Sequence, residues 1–268
     1  MDKILSKYEA DTETGLHYAG ARYYDSRLSI FLSVDRFAEK FPWQSPYCYA
    51  SNNPIRYMDI NGDSAWRINN QWNAEYISKY HQYVPSQIQQ YYNNGEKFTC
   101  EDLALSTLID FASTNGLPVT IRNGKGTYDA RSDNYTDIAT FKNDVLTTTG
   151  ARDLQNIKNT IPISISEAKS GDMLLNRYDN GNAHHVQLIT NVNTYETRCN
   201  QSVSIAQGNM SRPFSSHKNS FLYAGTRIEQ GFYSIWRDLY INISTSQIIK
   251  NYRLKNNIET RIWNFKRF

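Results

Sequence analysis

The chain has 268 residues, 40% of them hydrophobic and 21% charged, with a net charge of +3 at neutral pH. It is long enough to bury a substantial core, and no apolar run approaches the roughly eighteen residues of a membrane-spanning helix. So small a positive charge predicts no nucleic-acid partner, for which a basic stripe is expected. Three widely spaced cysteines, Cys48, Cys100 and Cys199, fit neither a disulfide framework nor a zinc pattern, and leave at least one free thiol. The opening MDKILSKYEADTETG lacks the apolar core of a secretory signal, so synthesis in the cytoplasm is expected.

From Tyr18 to Tyr57 pairs of tyrosines, arginines and β-prone triplets alternate with turn dipeptides such as Asn53-Pro54, and Asn61-Gly62 follows shortly after. This predicts short strands joined by turns. The stretch from Glu13 to Asp63 resembles the C-terminal end of the RHS/YD repeat-associated core, a β-shell that in that family encloses a C-terminal toxin. The positions matching the family's self-cleavage motif, Asp35-Arg36 and Asp59-Ile60-Asn61-Gly62, lack its proline. The expected organisation is an RHS-core remnant over 1–63, a linker with helical character over 64–95 and a hydrolase domain over 96–268. Within the linker, Ala74 to Tyr83 reads as a helix that Pro85 interrupts, with Ser86 capping a further turn from Gln87 to Tyr92.

Phe98-Thr99-Cys100-Glu101-Asp102 starts a helix: Thr99 can cap it, acidic residues occupy its first turn, and Ala104, Leu108, Phe111 and Ala112 recur at helical spacing. Asn115-Gly116 followed by Pro118 ends it. Cys100 therefore falls at a helix N-terminus, where the backbone dipole favours a thiolate and free N–H groups can face an oxyanion. Further on, Met173 to Asn176 and Ala183 to Thr190 read as two strands of a hairpin, the second carrying His184 and His185. Neighbouring strand residues point to opposite faces, so one of the two histidines can face Cys100. Ser202 to Asn209 reads as a third strand ending in Gln207 and Asn209, either of which can hold an imidazole in register. The final stretch, Lys250 to Phe268, is basic and reads as a solvated terminal element or an anion-binding tail.

The order helix-borne Cys, Gly171-Asp172 strand, His185-Val186 strand and polar-ended strand resembles the NlpC/CHAP group of papain-like cysteine peptidases and amidases. The resemblance implies an α+β fold, with the nucleophile helix packed on an antiparallel sheet. It implies Cys100 as nucleophile, His185 as base with His184 as the alternative, and Gln207 or Asn209 as the orienting group, with no cofactor and no metal. The expected activity is that of an RHS-associated antibacterial toxin hydrolysing peptide or amide bonds in peptidoglycan. The alternatives are a cysteine protease, deamidase or acyltransferase acting on protein or lipid, or a non-enzymatic binding module. A cognate immunity protein and a secretion apparatus delivering the protein into a target cell are the expected partners.

Overall fold

The tyrosine-rich N-terminal stretch pairs as a four-stranded antiparallel meander, β1 (Glu9–Ala10), β2 (His17–Tyr18), β3 (Tyr23–Asp25) and β4 (Ile30–Phe31). The computed structural model describes residues 9–18, 22–35, 38, 45–49, 65–66, 68–132, 134–135, 137–193, 202–209, 225–234, 239–250 and 257–268. Asn53-Pro54, Asp59 to Gly62, the boundary near Asp63 and Cys199 lie outside them. The chain divides into one unit of Met1–Gln71, Ala112–Val119 and Tyr128–Asp144, and a second of Trp72–Phe111, Thr120–Thr127 and Val145–Phe268.

Aromatic packing holds the first unit. Tyr24, Phe31 and Tyr49 are buried with ring centroids 4.4 to 5.8 Å apart, distances at which offset or edge contacts add to area burial. The Arg22 guanidinium lies 3.8 Å from the Phe31 ring centre and pairs with Asp35 at 2.9 Å. Elsewhere in this unit Trp66 donates its indole N–H to the Leu117 carbonyl at 2.9 Å and meets Phe141 edge-on.

The second unit opens with α1 (Ala74–Asn93). Asn73 caps it by accepting the Tyr76 N–H at 2.9 Å, and Tyr80, Val84, Ile88 and Tyr91 form one buried face. The break expected at Pro85 does not occur. Proline removes only one backbone donor, and the buried face runs on either side of it. Ser86 caps nothing; its hydroxyl donates to the Tyr83 carbonyl at 2.8 Å.

After β5 (Lys97–Phe98) comes α2 (Cys100–Thr114), followed by β6 (Thr120–Asn123), β7 (Gly126–Asp129) and α3 (Ile138–Thr148). Leu103, Ala104, Leu105, Leu108 and Ile109 are all fully buried, so α2 is a core helix and not a surface one. It ends at Gly116, φ +62°, with Leu117 N–H bonded to the Ala112 carbonyl and Gly116 N–H to that of Ser113. The left-handed conformation is why a glycine stands there.

The remaining strands are β8 (Thr160–Pro162), β9 (Met173–Arg177), β10 (Ala183–Asn193), β11 (Ser202–Gln207), β12 (Thr226–Arg227), β13 (Glu229–Ser234), β14 (Leu239–Asn242), β15 (Gln247–Lys250) and β16 (Ile258–Trp263). Eight of them form one antiparallel sheet in the order β15-β14-β13-β11-β10-β9-β16-β8, and β12 pairs separately with β5. The architecture is α+β with a large antiparallel sheet, as expected at that level.

Over its described residues 257–268 the basic C-terminal stretch is not a solvated tail. Its strand β16 is inserted between β9 and β8, Trp263 is buried, and Arg261, 4% exposed, pairs with Glu259 at 2.9 Å. Arg261 also donates to the Thr160 hydroxyl and to the carbonyls of Gln155 and Thr160. A buried guanidinium needs that many acceptors.

Gly171 and Asp172 precede β9 and serve the backbone. Gly171 sits at φ +90°, and a Cβ there would stand 2.6 Å from the Tyr80 ring. Asp172 accepts the Lys169 N–H at 2.7 Å, but its other carboxyl oxygen is buried with no partner. Burial pushes its pKa up to about 7, partly opposed by the Lys169 N–H. A raised folded-state pKa means that folding takes up a proton, so this group's contribution to stability is complete below pH 3.8 and fades as pH rises through 7. At 1.36 kcal/mol per unit the change is on the order of 4 kcal/mol. Urea titrations at pH 5 and pH 8 are expected to show Asp172→Asn gaining stability relative to the parent chain as pH rises, by about 1.36 kcal/mol for each of the roughly two units between pH 5 and 7. A difference between variant and parent that does not change with pH would refute this assignment.

Candidate functional site

Cys100 is held at the start of α2 by close backbone packing. The preceding residues Lys97 and Phe98 pair with Arg227 and Thr226, and Asn209 exchanges bonds with Thr226 through backbone and hydroxyl. A Cβ on Gly208 would stand 2.2 Å from the Phe98 carbonyl oxygen and one on Gly225 would stand 2.1 Å from the Phe98 carbonyl carbon. Only glycine allows this approach. The thiol then lies beside β10, where it accepts the backbone N–H of Val186, the residue after His185.

The electrostatics at Cys100 run opposite to the expectation from its helix position. Burial and then the neighbouring Glu101 carboxylate push the thiol pKa up, outweighing the N–H groups of Val186 and Glu101 that lower it. The thiol is protonated and donates to Glu101 Oε2 at 2.8 Å. A helix N-terminus stabilises a thiolate only where no carboxylate competes for the same few ångströms. Cys48 is also buried.

Four neighbouring strands supply the rest of the site. His185 and Gln187 lie two apart on β10, Gln207 ends β11, Glu229 stands opposite Gln207 on β13, and Asn242 is on β14. His185 Nε2 and Gln207 Oε1 are 2.8 Å apart, and Gln187 Nε2 donates to the same oxygen at 2.7 Å. Gln207 Nε2 donates to Glu229 Oε2 at 3.1 Å, which also accepts from Asn242 at 3.0 Å. Tyr233 donates to Gln187 Oε1 at 2.6 Å.

This chain of contacts assigns a proton. A carboxylate only accepts, so Glu229 requires the Gln207 NH₂ to face it and the Gln207 oxygen to face His185. His185 therefore carries its proton on Nε2 and keeps Nδ1 as the free lone pair when neutral. Burial lowers the His185 pKa below its ordinary 6.5, the Gln207 bond raises it, His184 lowers it, and the negative fields of Glu101 and Glu229 raise it. The imidazole is accordingly neutral near pH 7, with its lone pair on Nδ1. Nitrogen-15 NMR is expected to report the Nε2–H tautomer for His185, and Glu229→Ala to weaken that signature by freeing the Gln207 amide to turn. An Nδ1–H signature in the parent chain would defeat the assignment.

Of the residues expected at the site, Cys100, His185 and Gln207 are brought together, and His184 and Asn209 are not. A register shift between Ala183 and His185 turns His184 outward, where it is exposed and stacks on Tyr178 at 4.2 Å. Asn209 lies past the end of β11 and spends its backbone on Thr226. Glu101, Gln187, Glu229 and Tyr233 were missed. Gln187 carried a signal, being two residues from His185 on one strand face, whereas Glu229 needed the strand pairing.

Comparison with known proteins corrects the expected family and activity. The chain is 38% identical over 73 residues to tRNA nuclease WapA of Bacillus subtilis and, to the same extent, to tRNA3(Ser)-specific nuclease WapA of Bacillus spizizenii and tRNA(Glu)-specific nuclease WapA of Bacillus subtilis subsp. natto. Each match covers 26% of this chain and 3% of the relative, and is shorter than the chain separation between Cys100 and His185. No family model matches, and no solved structure matches. The reading as an RHS remnant joined to an NlpC/CHAP cysteine peptidase or amidase, with peptidoglycan as substrate and nucleic acid excluded, is set aside: the relatives are named as nucleases acting on tRNA.

Proposed function

We propose that this chain cleaves RNA, with tRNA as the substrate class suggested by the names of its relatives, by proton transfer at His185. The observation that carries the reading is the half-buried imidazole, neutral at pH 7, whose Nε2–H is engaged by Gln207 and whose Nδ1 is left as a base. A base that is unprotonated at pH 7 is what attack by a ribose 2′-hydroxyl on its own 3′-phosphodiester requires. Nδ1 takes the hydroxyl proton, the 2′-oxygen bonds to phosphorus, and the bond to the 5′-oxygen breaks as that oxygen gains a proton from solvent. Glu101 and Glu229 favour the imidazolium formed in this step, since their negative fields already raise the His185 pKa. Cys100 acts as a neutral donor that holds Glu101 and takes no part in bond formation.

The test is incubation of the purified chain with total tRNA and with a matched DNA oligonucleotide. The reading expects tRNA fragments ending in 2′,3′-cyclic phosphate and 5′-hydroxyl, and intact DNA. Intact tRNA, or fragments with 5′-phosphate ends, would overturn it.

A further inference from the structure

Beside the imidazole network lies a cleft of roughly 390 Å³ that includes Tyr92, Glu96, Arg227 and Glu229 in its walls. Glu229 belongs to both, since its carboxylate accepts from Gln207, which in turn holds His185. Tyr92 presents an exposed aromatic ring, 48% accessible, at the end of α1. On the adjoining β5–β12 ladder Arg227 stands directly opposite Lys97, and both side chains are exposed. Like charges placed opposite each other across an antiparallel pair repel. The pairing register allows both to reach one anion, which would remove that cost.

The charges in and around the cleft select the ligand class. A simple anion would meet Glu96 and Glu229, and a simple cation would meet Lys97 and Arg227. A nucleotide carries an anionic phosphate at one end and a flat base with N–H donors at the other, and so offers each wall its complement. Carboxylates accept from base amino groups, aromatic rings stack on any base, and guanidinium and ammonium groups take phosphate. The volume also lies in the usual range for small-molecule sites.

We propose that this cleft is a nucleotide subsite for RNA flanking the cleaved bond. The phosphate lies between Lys97 and Arg227, the base stacks on Tyr92, and the amino-bearing edge of the base faces Glu96. The position beside Glu229 places it next to the His185 network, and its description as a flanking subsite rests on the cleavage reading above. The edge chemistry favours guanine, whose adjacent N1–H and amino group match a carboxylate, over uracil, which has no amino group.

Binding by the 268-residue chain to GMP, UMP and inorganic phosphate, followed by calorimetry and by NMR shifts of cleft residues, tests this without any turnover. GMP is expected to bind roughly tenfold tighter than UMP, in line with the discrimination from one good base contact. Tyr92→Ala is expected to weaken GMP about tenfold, the effect of one lost stacking platform, and to leave inorganic phosphate unchanged. Arg227→Gln is expected to weaken both. Both residues are exposed, so circular dichroism of the two variants should match the parent. Absence of saturable shifts in the cleft with GMP, or GMP binding indifferent to Tyr92→Ala, overturns the subsite. GMP binding as expected in a chain that leaves tRNA intact upholds the nucleotide site and removes the cleavage reading. Cleavage with an unchanged KM in both variants does the reverse.

Discussion

His185→Ala is expected, on the proposed mechanism, to lower the rate of tRNA cleavage by roughly 10²–10⁴, the usual contribution of a positioned general base, with little change in KM because the base acts in the bond-changing step. Gln207→Ala should fall short of that loss, since the imidazole survives and only its orientation is released. Cys100→Ala should stay within about tenfold of the parent, because the thiol is protonated and engaged by Glu101 rather than by substrate. The pattern across the three variants is the informative result. Single-turnover cleavage of end-labelled tRNA measures it, and a Cys100→Ala variant as inactive as His185→Ala would refute the division of roles. The pH profile adds a sign: His185 titrates below its ordinary 6.5, so the acidic limb of the cleavage rate should lie below that value, with the rate level from there to neutral pH.

Trp263→Ala is expected to cost about 3–5 kcal/mol of folding stability, the range for removing a large buried aromatic. Trp263 is 1% exposed on the inserted strand β16, and its indole N–H donates to the Tyr80 hydroxyl at 3.0 Å. Its loss leaves both a cavity and a buried hydroxyl short of a partner, in the zone where Tyr80 packs on Phe111 and Phe265. Trp263→Phe keeps a ring and loses the donor, so it should cost clearly less. Urea denaturation of the three proteins gives the comparison, and a Trp263→Ala midpoint equal to the parent's would show that β16 contributes nothing to the sheet.

Much of the local structure could be read from residue order. Helix α2 began at Cys100 and ended at Asn115-Gly116 because caps, periodicity and a left-handed glycine are local signals. The β9–β10 hairpin and strand β11 followed from alternation and a turn. Pro85 misled because propensity is a weak prior: the buried face of Tyr80, Val84, Ile88 and Tyr91 carries α1 through it. The basic tail misled for a related reason. Counting Lys and Arg from 250 onward hides that Arg261 is neutralised by Glu259 and that Trp263, Phe265 and Phe268 are the residues that bury. The net charge of +3 was no ground for excluding nucleic acid, because a sum over the whole surface carries no information on any one patch.

What the sequence determined by itself is helix α2, the β9–β10 hairpin and strand β11, and so which elements carry Cys100, His185 and Gln207, since helix caps, turns and alternation act over a few residues. Which histidine faces inward, which amide holds it and whether the thiol ionises were decided only in the tertiary structure. The shift at His184 depends on how β10 registers against β9. The choice of Gln207 over Asn209 depends on where β11 stops and Thr226 begins. The proton on His185 depends on Glu229, which strand pairing alone brings beside Gln207. Protonation is set by charges and burial within a few ångströms, and those neighbours come from stretches of chain far apart in sequence.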